Sequence, residues 1–245
     1  MRFGFISDIH GNLPALEAVL SDLERRDCDQ LVCLGDICFG PQAPECLERV
    51  QALGCPVILG NWDWWSIDGF PTRDDPVGIM LYDLGAWWAK QLTDEHRELV
   101  RTFQPTLELE LPDERRMFCF HGSPASFSDW IFATTPDEEI EQLFDGIDAA
   151  VLVGGHTHLQ MLRRYGRAVI VNPGSVGQPF RQWWPNEIRV GRWAEYGIVD
   201  VDEGDLDVEL RRVQYDFDAF LDLLAASDMP HRRWWIDSYA DLTAV

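Results

Sequence analysis

Two histidines separated by one threonine, His156 and His158, follow a short apolar run at residues 151–153 and a pair of glycines. The apolar, β-branched run predicts a buried strand, and Gly154 with Gly155 predicts a tight turn after it. Because alternate side chains of an extended strand point to opposite faces, the imidazoles can converge only if this turn breaks the extended geometry. The motif alone fits either a metal site or a solvated surface pair.

Four other segments also place polar side chains of metal-ligand type directly after an apolar run. They are Asp8 and His10 after residues 2–7, Asp36 after 30–34, Asn61 after 56–59, and His121 after 116–120. Strand carboxyl ends share one rim in open α/β folds, so we expect these side chains to meet. Carboxylate, amide and imidazole donors suit two divalent ions that share a carboxylate and keep positions open for water and substrate. Each residue taken alone could instead cap a helix, form a turn or be a buried histidine.

Hydrophobic periodicity predicts the elements that position these corners. Strands are expected at 2–7, 30–34 and 56–59. One helix is expected at 13–26, between the first and second strands, and another at 45–53, between the second and third. Further helices are expected at 83–91, 94–102, 136–144 and 217–226, and hairpins at 106–111 with 116–120, 159–164 with 168–171, and 196–201 with 206–213. The alternation predicts an α/β sheet with parallel crossovers. With no clear linker, we predict one domain over 1–245, with a loop insertion near 181–195 and a C-terminal helix and tail at 216–245.

Composition narrows the class of protein. A hydrophobic content of 46% allows a sizeable core, and a net charge of −22 opposes binding of extended nucleic acid or acidic membranes. The apolar runs are short, so we expect neither a membrane span nor a secretory signal, and we predict a cytoplasmic location. The six cysteines form no CxxC pair, which indicates reduced, mostly buried thiols.

The corners form an ordered set of motifs: DIH at 8–10, GD at 35–36, GN at 60–61, His121, and GHTH at 155–158. In this order they resemble the calcineurin-like metallophosphoesterase superfamily. GP at 40–41, HGSP at 121–124 and NPGSVGQP at 172–179 are similar to the small phosphodiesterase branch of that superfamily. The resemblance implies an α/β fold, a four-layer αββα sandwich of two mixed β-sheets flanked by helices, with a dimetal site at one end of the sheets.

The resemblance also implies a division of ligands between two ions. The first ion would be held by Asp8, His10 and His158, the second by Asn61, His121 and His156, with Asp36 bridging both. A hydroxide between the two ions would attack phosphorus, and Asp36, His10 and Asn61 are the predicted catalytic residues. Imidazole ligands without thiolates favour Mn²⁺ or Fe over Mg²⁺, with Zn²⁺ as a further option.

Two departures from the family pattern bear on the substrate. Many relatives carry a histidine after GN that protonates the leaving group, but this chain has Trp62, whose indole cannot act as a general acid. His10 or a metal-bound water could supply the proton, and the change favours phosphodiesters or activated phosphates over ordinary monoesters. The arginine that follows GD in Ser/Thr protein phosphatases is also missing, and Arg181 is either a phosphate-binding residue or a solvated loop residue. Arg181 and Trp62 are the candidate substrate contacts.

The sequence therefore predicts a dimetal phosphoesterase that hydrolyses phosphodiester bonds of small, nucleotide-type substrates. The alternatives are a phosphomonoesterase or dinucleoside polyphosphate hydrolase and, in another class, a non-catalytic scaffold with a degenerate metal site, as in the retromer subunit of this superfamily. A tryptophan-rich loop at 183–193 is predicted to be a lid or an oligomer contact, and the tail from Pro230 is a second segment through which a homo-oligomer could form.

Overall fold

The computed structural model describes residues 1–72, 74–112, 114–182, 188–202 and 204–239. The strands are β1 (Arg2–Ile6), β2 (Gln30–Cys33), β3 (Leu107–Glu110), β4 (Arg116–Cys119), β5 (Val151–Val153), β6 (Met161–Tyr165), β7 (Ala168–Asn172), β8 (Phe180–Gln182), β9 (Arg189–Val190), β10 (Ala194–Asp202) and β11 (Asp205–Val213). The helices are α1 (Leu13–Leu23), α2 (Ala43–Leu53), α3 (Asn61–Asp68), α4 (Pro76–Ala89), α5 (Asp94–Arg101), α6 (Asp137–Leu143), α7 (Phe217–Ala226) and α8 (Arg232–Asp237).

Two mixed β-sheets form the centre of the fold. The first has the order β11-β10-β1-β2 and the second β3-β4-β5-β7-β6, while β8 and β9 form a separate ribbon. In the first sheet β1 pairs parallel to β2 and antiparallel to β10. In the second, β5 lies parallel to both β4 and β7. The three predicted hairpins are confirmed as the antiparallel pairs β3–β4, β6–β7 and β10–β11.

The alternation of side chains along the strands places the sheets in four layers. Phe3 and Phe5 of β1 pack in one cluster with Met117 and Val151 of the second sheet, so these side chains lie between the two sheets. Ile6, on the opposite face of β1, packs with residues of α1 and α2. On the far side of the second sheet, Phe118 and Leu152 pack with Ile140 of α6. Both faces of the parallel strands are covered, which explains why their central residues are apolar, and the predicted αββα sandwich is confirmed.

The third predicted strand, at 56–59, is wrong in extent. Val57 and Ile58 make only single parallel bridges, to Cys33 and Gln104 respectively. The segment is short and lies between Pro56 and Gly60, and it divides its pairing between β2 on one side and Gln104 on the other. It cannot extend a regular ladder to either neighbour.

The helical region that follows differs from the prediction in its starting points. The sequence places a helix at 83–91, but α4 begins at Pro76, where the side chain of Asp75 accepts a hydrogen bond from the Gly78 N–H (2.9 Å). Proline is tolerated at the first helical position because its missing N–H would have no partner there. The helix therefore starts earlier than predicted, at a proline. Similarly, α3 begins at Asn61 itself, directly after the corner.

The insertion near 181–195 is not wholly a loop. The ends of β8, the whole of β9 and the start of β10 fall within it, and Trp183 and Trp184 lie outside the described residues. The C-terminal helix α7 has the predicted bounds, and the segment from 230 to 239 packs on its own chain. Trp235 and Tyr239 are buried in a cluster with Trp88 and Phe220. The homo-oligomer stays a prediction.

Two further expectations concern the cysteines and the membrane. The six cysteines are free thiols, four of them buried, in keeping with the predicted reduced state. None of the helices in the described part of the chain is long and apolar enough to cross a membrane.

One buried carboxylate ties α1 to the first sheet. Asp22 Oδ2 accepts a hydrogen bond from the Tyr196 hydroxyl (2.5 Å) and one from Arg211 Nε (3.3 Å), and Oδ1 accepts one from Arg25 Nη2 (2.8 Å). Burial by itself raises the pKa of Asp22, but the hydrogen bonds from Tyr196, Arg25 and Arg211 and the charge of Arg26 outweigh it and lower the pKa to about 2.

Asp22→Asn should therefore lower the free energy of unfolding at neutral pH by about 1–2 kcal/mol, because charge-assisted hydrogen bonds become neutral ones. Since the pKa of Asp22 is depressed from its ordinary value of 3.8 to about 2, the difference should persist above pH 4 and vanish as the pH falls to about 2. Urea unfolding at several pH values measures it. The exposed Asp222→Asn is the control, and an equal effect at pH 7 and pH 2 would contradict the assignment.

Candidate metal centre

The corners after the strands are built from ligand-type residues in left-handed backbone conformation. Asp8 (φ 54°), His10 (φ 48°), Asp36 (φ 57°), His156 (φ 67°) and His158 (φ 57°) have positive φ although none is glycine. Such conformations are uncommon for residues with a Cβ and cluster at functional sites. The strained backbone turns each side chain out of the strand direction and toward one point.

The glycines before His156 act differently from the sequence prediction. His156 and His158 supply the left-handed turns themselves, and Gly155 is not among the residues with positive φ. A Cβ on Gly155 would lie 2.0 Å from Ser7 Oγ and 2.8 Å from Asp8 Oδ2. Gly155 is therefore required for the close approach of the β1 and β5 corners, which belong to different sheets, and not for turning the chain.

The first group of donors comprises Asp8, His10 and His158. One ligand atom from each lies within 4.8 Å of the others, and all three residues are buried. His158 Nε2 lies 3.3 Å from Asp8 Oδ1 and 3.0 Å from His10 Nε2. Two ring nitrogens and a carboxylate oxygen thus converge, with no lysine or arginine paired to Asp8 among the described residues.

The second group comprises Asp36, His121 and His156, again buried and within 4.8 Å of one another. His121 Nε2 lies 3.3 Å from Asp36 Oδ2 and 3.2 Å from the Asn61 side-chain oxygen. Asp36 Oδ2 is also 3.9 Å from His10 Nε2 of the first group. Asp36 is therefore the member of the second group that lies next to the first, and all seven sequence-predicted ligands come together.

Backbone carbonyls orient two of the imidazoles. His121 Nδ1 lies 2.7 Å from the Leu34 carbonyl oxygen, and His158 Nδ1 lies 2.8 Å from the Gln178 carbonyl oxygen. Since a carbonyl oxygen can only accept a hydrogen bond, each Nδ1 carries the hydrogen. Each Nε2 therefore faces the other candidate metal ligands. Ring orientation by a hydrogen bond to the distal nitrogen is the usual arrangement of metal-binding histidines.

Burial and mutual charge determine the protonation of the site. Burial, and then the neighbouring histidines, hold the pKa of His10 well below 6.5, and lower that of His156 to about 3, so both rings are neutral. Burial also lowers the pKa of His121, but Asp36 and Asp8 outweigh it and raise the pKa to about 9. Burial raises the pKa of Asp36 to about 6 although His121 opposes it. A divalent cation can take the place of the His121 proton as the partner of the carboxylates.

Several buried atoms that could bind a metal ion make no hydrogen bond in the described part of the chain. Asp8 Oδ1, His10 Nδ1 and His156 Nε2 make no hydrogen bond among the described residues. The Asn61 amide atom that points into the site lies 3.3 Å from Asp36 Oδ2 and 2.8 Å from His156 Nδ1, so as an oxygen it faces acceptor atoms. Unsatisfied buried polar atoms cost about 1–3 kcal/mol each. Cations between the two groups would satisfy these atoms, and the donor set fits two divalent ions.

Asp63 is a positioning residue to which the sequence reasoning assigned no role. Its buried carboxylate accepts hydrogen bonds from the backbone N–H groups of Asp36 (2.8 Å), Ile37 (2.8 Å), Cys38 (2.9 Å) and Gly60 (3.2 Å). It thereby holds the Asp36 corner against the start of α3, which carries Asn61. The available signal was an acidic residue in the first turn of a helix directly after a candidate ligand.

The segment 172–179 supports the histidine corner. Asn172 Nδ2 donates to the Gly155 carbonyl oxygen (2.7 Å) and to Thr157 Oγ1 (3.0 Å). Ser175 Oγ donates to the Asp8 carbonyl oxygen (2.7 Å). These bonds connect the corner after β7 to the corner after β5, which carries His156 and His158, and to the corner after β1, which carries Asp8.

A cavity of about 1220 Å³ opens from the donor groups. Trp62, whose role as a substrate contact stays a prediction, lines it, and its backbone N–H donates to Asp36 Oδ1 (2.8 Å). Arg181 is exposed, is not among the residues that line the cavity, and holds its guanidinium 5.9 Å from the Trp193 ring. Arg189 and Trp130 do line the cavity and were not singled out from the sequence.

Comparison with known proteins supports the same assignment. A family model described as "Calcineurin-like phosphoesterase superfamily domain" matches residues 1–204. An uncharacterised protein of Methanocaldococcus jannaschii is 29% identical over 92% of this chain and 92% of its own length. Phosphodiesterase YfcE of Escherichia coli is 28% identical over 82% of this chain and 89% of its own.

A solved metallophosphoesterase of Sphaerobacter thermophilus superimposes with a TM-score of 0.74 and 26% identity, covering 97% of this chain and 98% of that one. Given the match over most of the chain and the two buried donor groups, this protein belongs to the calcineurin-like phosphoesterase superfamily and is a metal-dependent phosphoesterase.

Proposed function

We propose that the protein, acting as a single domain, hydrolyses phosphodiester bonds of small, nucleotide-type substrates. The observation that carries the proposal is the meeting of two buried donor groups at Asp36, beside a cavity of about 1220 Å³. Bare phosphate would need far less space, since cavities of roughly 300–1,000 Å³ hold drug-sized organic ligands. The similarity to a relative named as a phosphodiesterase is in keeping with this.

The ions would be divided as the donor groups are. In this proposal Asp8, His10 and His158 hold one ion, Asn61, His121 and His156 hold the other, and Asp36 contacts both. Mn²⁺ or Fe suits these nitrogen and oxygen donors best, and Zn²⁺ is the next choice. When bound, two such ions supply a hydroxide nucleophile near neutral pH and neutralise charge on the phosphoryl oxygens.

The chain itself contributes position and a dry environment. Asp36 and Asn61 are held rigidly, since Trp62 N–H donates to Asp36 Oδ1 and Asp63 binds the backbone on both sides. His10 is buried and neutral, which suits a ligand better than a proton donor. Because Trp62 follows Asn61 and its indole cannot act as a general acid, we assign no histidine as the proton donor to the leaving group.

Asp36→Asn should lower turnover of an activated diester such as bis(p-nitrophenyl) phosphate by at least about 1,000-fold, because the shared anionic ligand of both ions is lost. Metal analysis should show that fewer than two ions remain bound per chain. Asp145→Asn, at an exposed position away from the corner, is the matched control. Activity of Asp36→Asn within a few-fold of the wild type would exclude the bridging role.

Asp63→Asn should lower metal affinity or turnover by about 10- to 100-fold, the usual cost of losing a group that orients metal ligands. The Asp63 carboxylate accepts hydrogen bonds from four backbone N–H groups. In the variant the NH₂ group of the asparagine side chain would face some of these N–H groups, and two hydrogen-bond donors cannot pair. Metal titration by calorimetry separates this effect from general instability. Ser66→Ala, which removes a buried hydroxyl from the same helix, is the control and should leave metal affinity unchanged.

Trp62→His should raise the hydrolysis of alkyl phosphomonoesters relative to diesters by at least about tenfold, because it supplies a general acid next to Asn61. Trp65→His, three positions along α3, is the control for loss of an indole. The comparison uses the Mn²⁺-loaded proteins with nucleotides, cyclic nucleotides, diesters and monoesters. A wild-type enzyme that hydrolyses alkyl monoesters faster than diesters would contradict the proposed preference and favour the phosphomonoesterase alternative.

A further inference from the structure

The cavity beside the donor groups has a continuous aromatic wall, which we define as Phe39, Trp62, Trp65, Phe70 and Trp235. Phe39 and Trp62 are stacked, with ring centroids 3.7 Å apart and planes at 28°. Trp62 then contacts Trp65 at 5.1 Å and Phe70 at 5.9 Å, and Phe39 contacts Trp235 at 5.4 Å. All five side chains line the same cavity, so their rings form one surface and not isolated packing pairs.

The wall reaches the metal corner. The Phe39 ring lies 5.7 Å from that of His10, and Trp62 directly follows Asn61 in the chain. Trp130 adds a further ring at the same end of the cavity, because its centroid lies 4.5 Å from that of His156 and the residue is 38% exposed. A phosphoryl group held at the donor atoms would therefore have aromatic faces within reach of its ester groups.

Part of the wall also packs in the core, since Phe39 and Trp235 are buried in one cluster and Trp62 packs against it, but the remaining wall surface faces the cavity. Of the tryptophans that line the cavity only Trp235 is buried, whereas Trp62, Trp65 and Trp234 keep part of their surface exposed. Exposing large indoles costs free energy that a protein ordinarily avoids, and such surfaces mark binding sites. Polar side chains along the lining, among them Gln178 and Ser128, leave places for hydrogen bonds to ring edges.

We propose that the aromatic wall stacks on a ring of the ester group, so that the enzyme selects phosphodiesters that bear an aromatic group over alkyl diesters of equal size. The proposal rests on the proposed phosphodiesterase function and narrows its substrate class; nucleobases are one kind of ring that such a wall accepts. Flat rings can stack on an exposed ring face, and stacking adds to the free energy of apolar burial. A surface that acted by apolar burial alone would favour the more hydrophobic saturated ring.

Two non-hydrolysable anions distinguish stacking from apolar burial alone. They are diphenylphosphinate and dicyclohexylphosphinate, which have the same charge and the same number of ring carbons. Calorimetric titration of the Mn²⁺-loaded protein should show diphenylphosphinate binding about 2- to 10-fold tighter. Equal binding, or tighter binding of the dicyclohexyl compound, would overturn the stacking proposal. Because binding is measured without turnover, failure of the phosphodiesterase assignment would show separately, as absent hydrolysis by a protein that still discriminates the two anions.

A matched pair of variants on α3 tests the wall itself. Trp65 lines the cavity, whereas Trp64, one position earlier, is not among its lining residues and lies against Phe127. Trp65→Leu should weaken diphenylphosphinate binding by at least about fivefold and reduce the preference over the dicyclohexyl compound, whereas Trp64→Leu should change neither. If Trp65→Leu does not fold, Trp130→Leu takes its place with the same expectation. Equal effects of the lining and non-lining variants would refute the proposal.

Discussion

The burial of two carboxylates, Asp8 and Asp36, at the shared end of two β-sheets is the constraint on which the site depends. Both are essentially inaccessible to solvent, and no lysine or arginine is near enough to form an ion pair with either among the described residues. Buried charge without a partner is strongly unfavourable, and imidazoles compensate it only by remaining protonated. Divalent cations bound there would resolve the conflict, since they would neutralise the carboxylates and leave the histidines as neutral metal ligands.

The same constraint accounts for the unusual backbone of the corners. Left-handed conformations at five ligand-type residues cost free energy that the surrounding hydrogen bonds must offset. Asp63 does this on one side by binding four backbone N–H groups, and Asn172 and Ser175 do it on the other by binding the corners of β5 and β1. The strain is local, but it is held by contacts between segments that are far apart in the chain. Metal binding and the stability of the corners are therefore coupled through these bonds.

The aromatic side chains divide into two populations with different roles. Trp88 is buried with Phe220 and Tyr239, and this cluster joins α4 to the C-terminal helices. Trp62, Trp65 and Trp130 instead line the cavity next to the donor groups. Trp62 thus belongs to a broad apolar surface at this end of the site, and its indole cannot act as a general acid.

How much of the molecule could be predicted depended on the range of the interactions involved. The hairpins, α7 and the seven ligand-type residues were visible in the sequence because alternation, helical periodicity and residue type after an apolar run are local properties. Residues 56–59 and the start of α4 were misread for local reasons as well, since a four-residue apolar run and a proline each have two structural meanings.

The sequence by itself determined the chemical types of the donors, their order along the chain and the sheet-forming pattern that carries them. Only the tertiary structure decided that Gly155 serves a close approach, that Asp63 holds the Asp36 corner, and that Arg189 and Trp130 line the cavity in place of Arg181. Each of these depends on which separate segments of the chain come to lie side by side. The spacing of residues along one segment carries no information about a partner in another segment, so those contacts became visible only in the folded chain.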